Sequence, residues 1–225
     1  MSLAPAPRGW PARPTDAGPL VKICGLTRPD LARAAVAAGA DLVGIVHFPP
    51  SPRHLDLDAA AAVADAVRGT ATVVALVVDA DDATLDALVA RARPDALQLH
   101  GKETPERVAH LAARHGLPVA KALGVATAAD LAAAARYDAL LVLDAKPPKD
   151  ADRPGGHGQR FDWRVLDALD PARPFMLSGG LDPESVAEAV ATVRPYAVDV
   201  SSGVETNRIK DIAKMSAFVA AVRAA

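Results

Sequence analysis

One cysteine in 225 residues leaves nothing from which to build an internal disulfide framework, and a reducing cytoplasm is the expected compartment. Aromatic residues make up 4% of the chain, too few for the stacking platforms that hold single-stranded nucleic acid. The 25 basic and 27 acidic residues leave a formal charge of −2, with no long run of one sign to track a phosphate backbone. No apolar run reaches the roughly 18 residues that span a bilayer. Neither a nucleic acid nor a membrane is therefore expected as a partner. The six histidines (47, 54, 100, 110, 115 and 157) form no HxxxH pair, and there is no second thiol. That pattern argues against a Cys/His metal cage. The absence of a G-x-S-x-G elbow argues against a serine hydrolase.

What the chain does have is 51% hydrophobic residues, enough for a sizeable core. The first 18 residues are rich in Pro and Ala and have no continuous apolar stretch, so they read as a disordered leader, with Trp10 exposed or loosely docked. From residue 19 to 225, short β-branched runs alternate with alanine-rich helical patterns. The runs lie at 20–24, 41–48, 72–78, 96–100, 119–123, 139–144, 175–179 and 197–202. Nearly continuous apolar strands separated by helices are what a parallel sheet buried on both faces requires. Eight such units favour a single closed (β/α)₈ barrel over an open doubly wound sheet, because no Rossmann or Walker loop follows the first strand. Helix signals fill the gaps: Thr27 and Asp30 flank Pro29 as an N-terminal cap, and Asp182–Pro183–Glu184 lead into a helix. Ile212, Met215, Phe218 and Val222 follow at helical spacing as a core stripe. His110 and His115 read as solvated.

A barrel places its chemistry at the C-terminal ends of the strands. Those ends carry Cys24, then Arg53 in the segment HFPPSPR, His100, Asp144, Gly179–Gly180, Asp199 and Ser201–Ser202–Gly203. The small residues after strands 7 and 8 allow close backbone approach and precede helices, the recurrent phosphate position of this architecture. Asp144 ends an apolar run, so it either caps the next element or stands in the pocket, where burial would make it a proton donor. The Pro/Gly-rich stretch after it has the length of a functional lid. Cys24 stays open between buried filler and reagent. Lys22, two residues earlier, lies on the same side of the strand and would favour the thiolate if both face inward.

The segments VKICGLT, GADLVGIVHFPPSPR, LQLHG, LVLDAK with PGGHGQRFDW, LSGGLDPESV and VDVSSGVE…KD occur in an order that closely resembles the phosphoribosylanthranilate isomerases of tryptophan biosynthesis. The resemblance covers nearly all of residues 20–225. It implies a phosphoribosyl substrate, no cofactor, and an Amadori rearrangement by general acid–base catalysis in a monomer or homodimer. It implies Cys24 as general base, Asp144 as general acid and Arg53 as the ligand of the anthranilate carboxylate. The phosphate falls to Gly179, Gly180, Ser201, Ser202 and Gly203, while His100 and Asp199 line the pocket. His47 stands where the family usually has an aromatic, and the third-strand segment ALVVDADD and the segment TNRIKD also depart from the family pattern. A histidine-pathway isomerase on the same barrel would carry aspartate where Cys24 stands. A barrel that only binds a phosphate ligand would have no need to keep Cys24, Arg53 and Asp144 together.

Overall fold

Leu20–Cys24 (β1) is buried at all five positions, as a strand covered on both faces must be. Leu42–Val46 (β2), Thr72–Val77 (β3), Ala96–Leu99 (β4) and Val119–Val125 (β5) follow. Leu140–Ala145 (β6), Phe175–Leu177 (β7) and Ala197–Val200 (β8) complete the set. Each strand pairs with the next, and β8 pairs in parallel with β1, so the sheet closes into the eight-stranded barrel expected from the sequence. This computed structural model describes residues 6–13, 18–146 and 160–225. Most of the stretch read as a lid, residues 147–159, lies outside the described residues.

Helices Pro29–Ala37 (α1), Leu57–Asp65 (α2), Asp82–Ala92 (α3) and Pro105–His115 (α4) cover the first half of the barrel. Short 3₁₀ segments at Ala128–Arg136 and Trp163–Ala168 follow β5 and β6, and Val186–Val193 (α5) and Ile212–Arg223 (α6) complete the shell. None of the described helices is long and apolar enough to cross a membrane. The cap of α1 falls on Arg28 rather than Thr27 and makes no side-chain cap hydrogen bond, while Asp30 pairs with Arg28 at 2.6 Å. On α6, Met215, Phe218 and Val222 are buried as their spacing predicts. Ile212 is exposed, because it opens the first turn before the helix reaches the barrel wall. His115 is also unlike its reading as solvated: its side chain is 6% exposed, whereas His110 stays at the surface beside Asp82.

Two apolar cores result. One lies between the strands and the helices. The other fills the barrel from its N-terminal end, where Leu20, Leu42, Val74, Leu140 and Met176 meet the small side chains of Ala96, Ala120 and Ala197. Those alanines leave room, and Trp10 occupies it beside Tyr196. The described part of the leader is thus placed: Trp10 is 7% exposed, and the Tyr196 hydroxyl donates to the Pro11 carbonyl at 2.5 Å. An indole offered a large apolar surface by an alanine-rich barrel floor has no reason to stay in water. The opposite, C-terminal end of the barrel is polar.

Candidate active site

Cys24 ends β1, and its register partner on β2 is Gly44. A Cβ at position 44 would stand 2.7 Å from the Cys24 sulfur, so the thiol keeps its place because that neighbour is glycine. On the other side of β1, Lys22 is in register with Asp199 of β8, and the ammonium donates to Asp199 Oδ1 at 3.0 Å. Lys22 is fully buried, so this ion pair lies inside the barrel, one layer below the thiol. Burial alone would lower the Lys22 pKa, but Asp199 and Cys24 raise it above the ordinary lysine range. Burial pushes the Cys24 thiol up, and Asp199 adds to that, while Lys22 and Lys210 pull it down without winning. The lysine therefore moderates the thiol without making it acidic, which narrows the role its spacing suggested.

Asp144 ends β6 with its carboxylate buried in the mouth, not spent on capping a helix. Its Oδ2 is 3.5 Å from Nε2 of His100, which follows β4. The other ring nitrogen, Nδ1, lies 3.2 Å from the amide nitrogen of Gln98. That contact holds the ring with Nε2 facing Asp144. Gln98 had no role assigned in the sequence. The period of two from His100 was the available signal, since it sets both side chains on one face of β4.

Arg53, after β2, is held by a carboxylate whose role the sequence reading missed. Its Nε and Nη2 donate to the two oxygens of Glu205 at 2.7 and 2.8 Å. Glu205 also accepts from the buried Lys210 Nζ at 2.5 Å. Lys210 in turn donates to the Ser201 carbonyl and hydroxyl at 3.0 and 3.1 Å, and the Ser201 hydroxyl donates to the Cys24 carbonyl at 3.0 Å. The hairpin Glu205–Thr206 (β9) and Ile209–Lys210 (β10) brings the two charged residues together. Burial disfavours the Arg53 cation, yet Glu205 raises its pKa, and burial lowers that of Lys210 despite the same carboxylate. Gly25 sits at φ +75°, where a Cβ would collide with the Arg53 stem, so the arginine crosses directly over the residue after Cys24.

The loops after β7 and β8 press against one another. Gly179 has φ +91°, and a Cβ there would stand 2.5 Å from the Ala145 amide nitrogen and 2.9 Å from Asp144 Oδ1. At Gly203 a Cβ would overlap the Leu181 carbonyl, so the two loops touch through bare backbone. Gly180, at φ +64°, keeps the turn tight, and Ser202 opens the short 3₁₀ turn Ser202–Val204. Cys24, Arg53, His100, Asp144 and both glycine-bearing loops converge on one mouth, while Asp199 lies one layer below it with Lys22 rather than at the rim. The tethers extend behind it. Lys146 turns away to Asp130 at 2.6 Å, and Lys121 and Glu103 form a buried pair at 2.9 Å.

Comparison with known proteins places this geometry in a group. A family model described as N-(5'phosphoribosyl)anthranilate (PRA) isomerase matches residues 21–221. An N-(5'-phosphoribosyl)anthranilate isomerase of Azorhizobium caulinodans is 57% identical over 209 residues, covering 91% of this chain and 92% of its own. One of Afipia carboxidovorans is 53% identical over 210 residues, covering 92% and 90%. The crystal structure of the Thermotoga maritima phosphoribosyl anthranilate isomerase superposes with a TM-score of 0.84 at 35% identity, over 92% of this chain and all of that one. A crystal structure of such an isomerase in complex with reduced 1-(o-carboxyphenylamino)-1-deoxyribulose 5-phosphate gives 0.80 at 33% identity, over 92% and 100%.

Proposed function

The chain belongs to the N-(5'-phosphoribosyl)anthranilate isomerase family, and on that premise we propose how its residues divide the reaction. The activity is the Amadori rearrangement of N-(5'-phosphoribosyl)anthranilate to 1-(2-carboxyphenylamino)-1-deoxyribulose 5-phosphate in tryptophan biosynthesis. Asp144 protonates the ring oxygen, and the furanose opens to a Schiff base. The Cys24 thiolate then takes the proton from sugar carbon 2, and the resulting enolamine tautomerises to the aminoketone. Both steps are proton transfers, which positioned side chains can carry. The base on β1 and the acid on β6 stand three strands apart around the closed ring, with the β7 and β8 loops between them to hold the phosphate.

His100 supports Asp144 by turning Nε2 to its carboxylate, and Asp199 holds Lys22 beneath the thiol. Arg53 receives the anthranilate carboxylate. Gly179, Gly180, Ser201, Ser202 and Gly203 cradle the phosphate through close backbone approach. Residues 19–225 are the catalytic unit, and a phosphorylated sugar intermediate suits an enzyme of the cytoplasm. The observation that carries the reading is the placement of the chain's one cysteine and the buried Asp144 at one mouth. The test is complementation of a tryptophan auxotroph lacking this isomerase. The wild-type chain should restore growth without tryptophan, and Cys24→Ser and Asp144→Asn should not. Growth supported by either variant would overturn its assignment, and no growth with the wild type would overturn the whole reading.

A further inference from the structure

We propose that Glu205 is the positioning residue that gives the site its preference for a carboxylate-bearing ring, acting through Arg53. The inference rests on the reading of Arg53 as the carboxylate's partner. A guanidinium has five N–H groups in a rigid plane. Glu205 takes one along the Nε edge and one from Nη2, at 2.7 and 2.8 Å, in the two-point geometry that fixes orientation as well as charge. The end-on edge, shared by Nη1 and Nη2, is what remains for a second carboxylate. An arginine without that clamp could turn about its stem and meet the ligand by either edge or neither.

The clamp is itself anchored. The Glu205 side chain is 6% exposed, Arg53 is buried, and Lys210, also buried, donates to Glu205 at 2.5 Å and to both oxygens of Ser201. Ser201 belongs to the loop assigned to the phosphate, and its hydroxyl holds the Cys24 carbonyl. One chain of hydrogen bonds thus runs from the ring-carboxylate end of the site, past the phosphate loop, to the backbone of the base. Arg53 and Lys210 are two buried cations that share one anion, so removing the anion leaves them facing each other. Nothing in proton transfer requires Glu205 to touch the substrate, which is why its effect should fall on recognition rather than on turnover.

The probes are reduced 1-(o-carboxyphenylamino)-1-deoxyribulose 5-phosphate and the same molecule made from aniline, which lacks the ring carboxylate. Their Kd ratio measures carboxylate recognition alone. Glu205→Gln keeps the shape, loses the charge and one acceptor, and should cut that ratio by about tenfold, the scale of one charge-assisted hydrogen bond. Its kcat should stay within about threefold, with KM raised. A defect of packing would weaken both probes alike, leave the ratio intact, and so overturn the proposal. Arg53→Ala separates the two levels of the argument. If it leaves the ratio unchanged, the Arg53 reading fails, and this proposal with it. If it collapses the ratio while Glu205→Gln does not, only the Glu205 proposal fails. The double variant should be no worse in ratio than Arg53→Ala, because one residue acts through the other; additive losses would contradict that.

Discussion

Lys22→Met removes the ammonium below Cys24 with little change of volume, and the structure fixes the direction of every consequence. In the wild type, Lys22 favours the Cys24 thiolate and Asp199 disfavours it, with burial the largest influence. The substitution deletes the favourable charge and leaves Asp199, formerly paired at 3.0 Å, as an uncompensated carboxylate. Both changes push the thiol further up. Solvent at the mouth and the remaining Lys210 limit that rise without reversing it. Because Cys24 is the only cysteine, thiolate absorbance in the ultraviolet reports this group without correction for others. The rate at neutral pH should fall by at least about tenfold, since the ionised base becomes that much scarcer. The limb of the pH–rate profile on which the rate rises with ionisation of the base should move up in step with the absorbance titration. Breaking a buried pair from one side costs about 3–5 kcal/mol, so folding is checked by circular dichroism. The Lys22→Met, Asp199→Asn double variant removes both charges, should recover stability, and should titrate below the single variant. A Lys22→Met thiol that titrates at or below the wild-type value would refute the electrostatic account of this pair.

Two further expectations concern the ends of the barrel. Trp10→Ala should destabilise the fold by about 3–5 kcal/mol in chemical denaturation, as loss of a buried indole does. It should leave kcat unchanged, because the indole sits among Leu20, Ala96 and Tyr196, away from the mouth. Gly203→Ala drives a Cβ into the Leu181 carbonyl, so the β7 and β8 loops must separate; KM should rise at least about tenfold while Asp144 and Cys24 keep their places.

Strand periodicity carried most of this fold, and the reason is physical. A β/α barrel buries each strand on both faces, so each becomes an apolar run that nothing else in the chain imitates, from LVKIC at 20–24 to AVDV at 197–200. The candidate site was legible where its residues sit at strand ends, as with Cys24, His100 and Asp144. Residues that act through another residue were not. Glu205 and Lys210 lie in a two-stranded hairpin whose pairing with Arg53 spans 152 positions, and Gln98 reads as one more residue of a buried strand. Trp10 was misread for the opposite reason: a Pro-rich segment has no periodicity of its own, and its place is set by the alanine floor it fills. The influence of Lys22 on Cys24 was right in sign; sequence spacing shows a neighbouring charge and not the burial that raises the thiol against it.

The division of labour between Cys24 and Asp144 is the central claim, and steady-state turnover of N-(5'-phosphoribosyl)anthranilate by Cys24→Ser and Asp144→Asn tests it most directly. Each should lower kcat by about 10²–10⁴-fold, the contribution of one positioned acid or base. Each should bind reduced 1-(o-carboxyphenylamino)-1-deoxyribulose 5-phosphate within about threefold of the wild type, because neither residue is assigned to the phosphate or the carboxylate. Near-wild-type kcat in either variant, or a loss of rate matched by an equal loss of binding, would contradict the account.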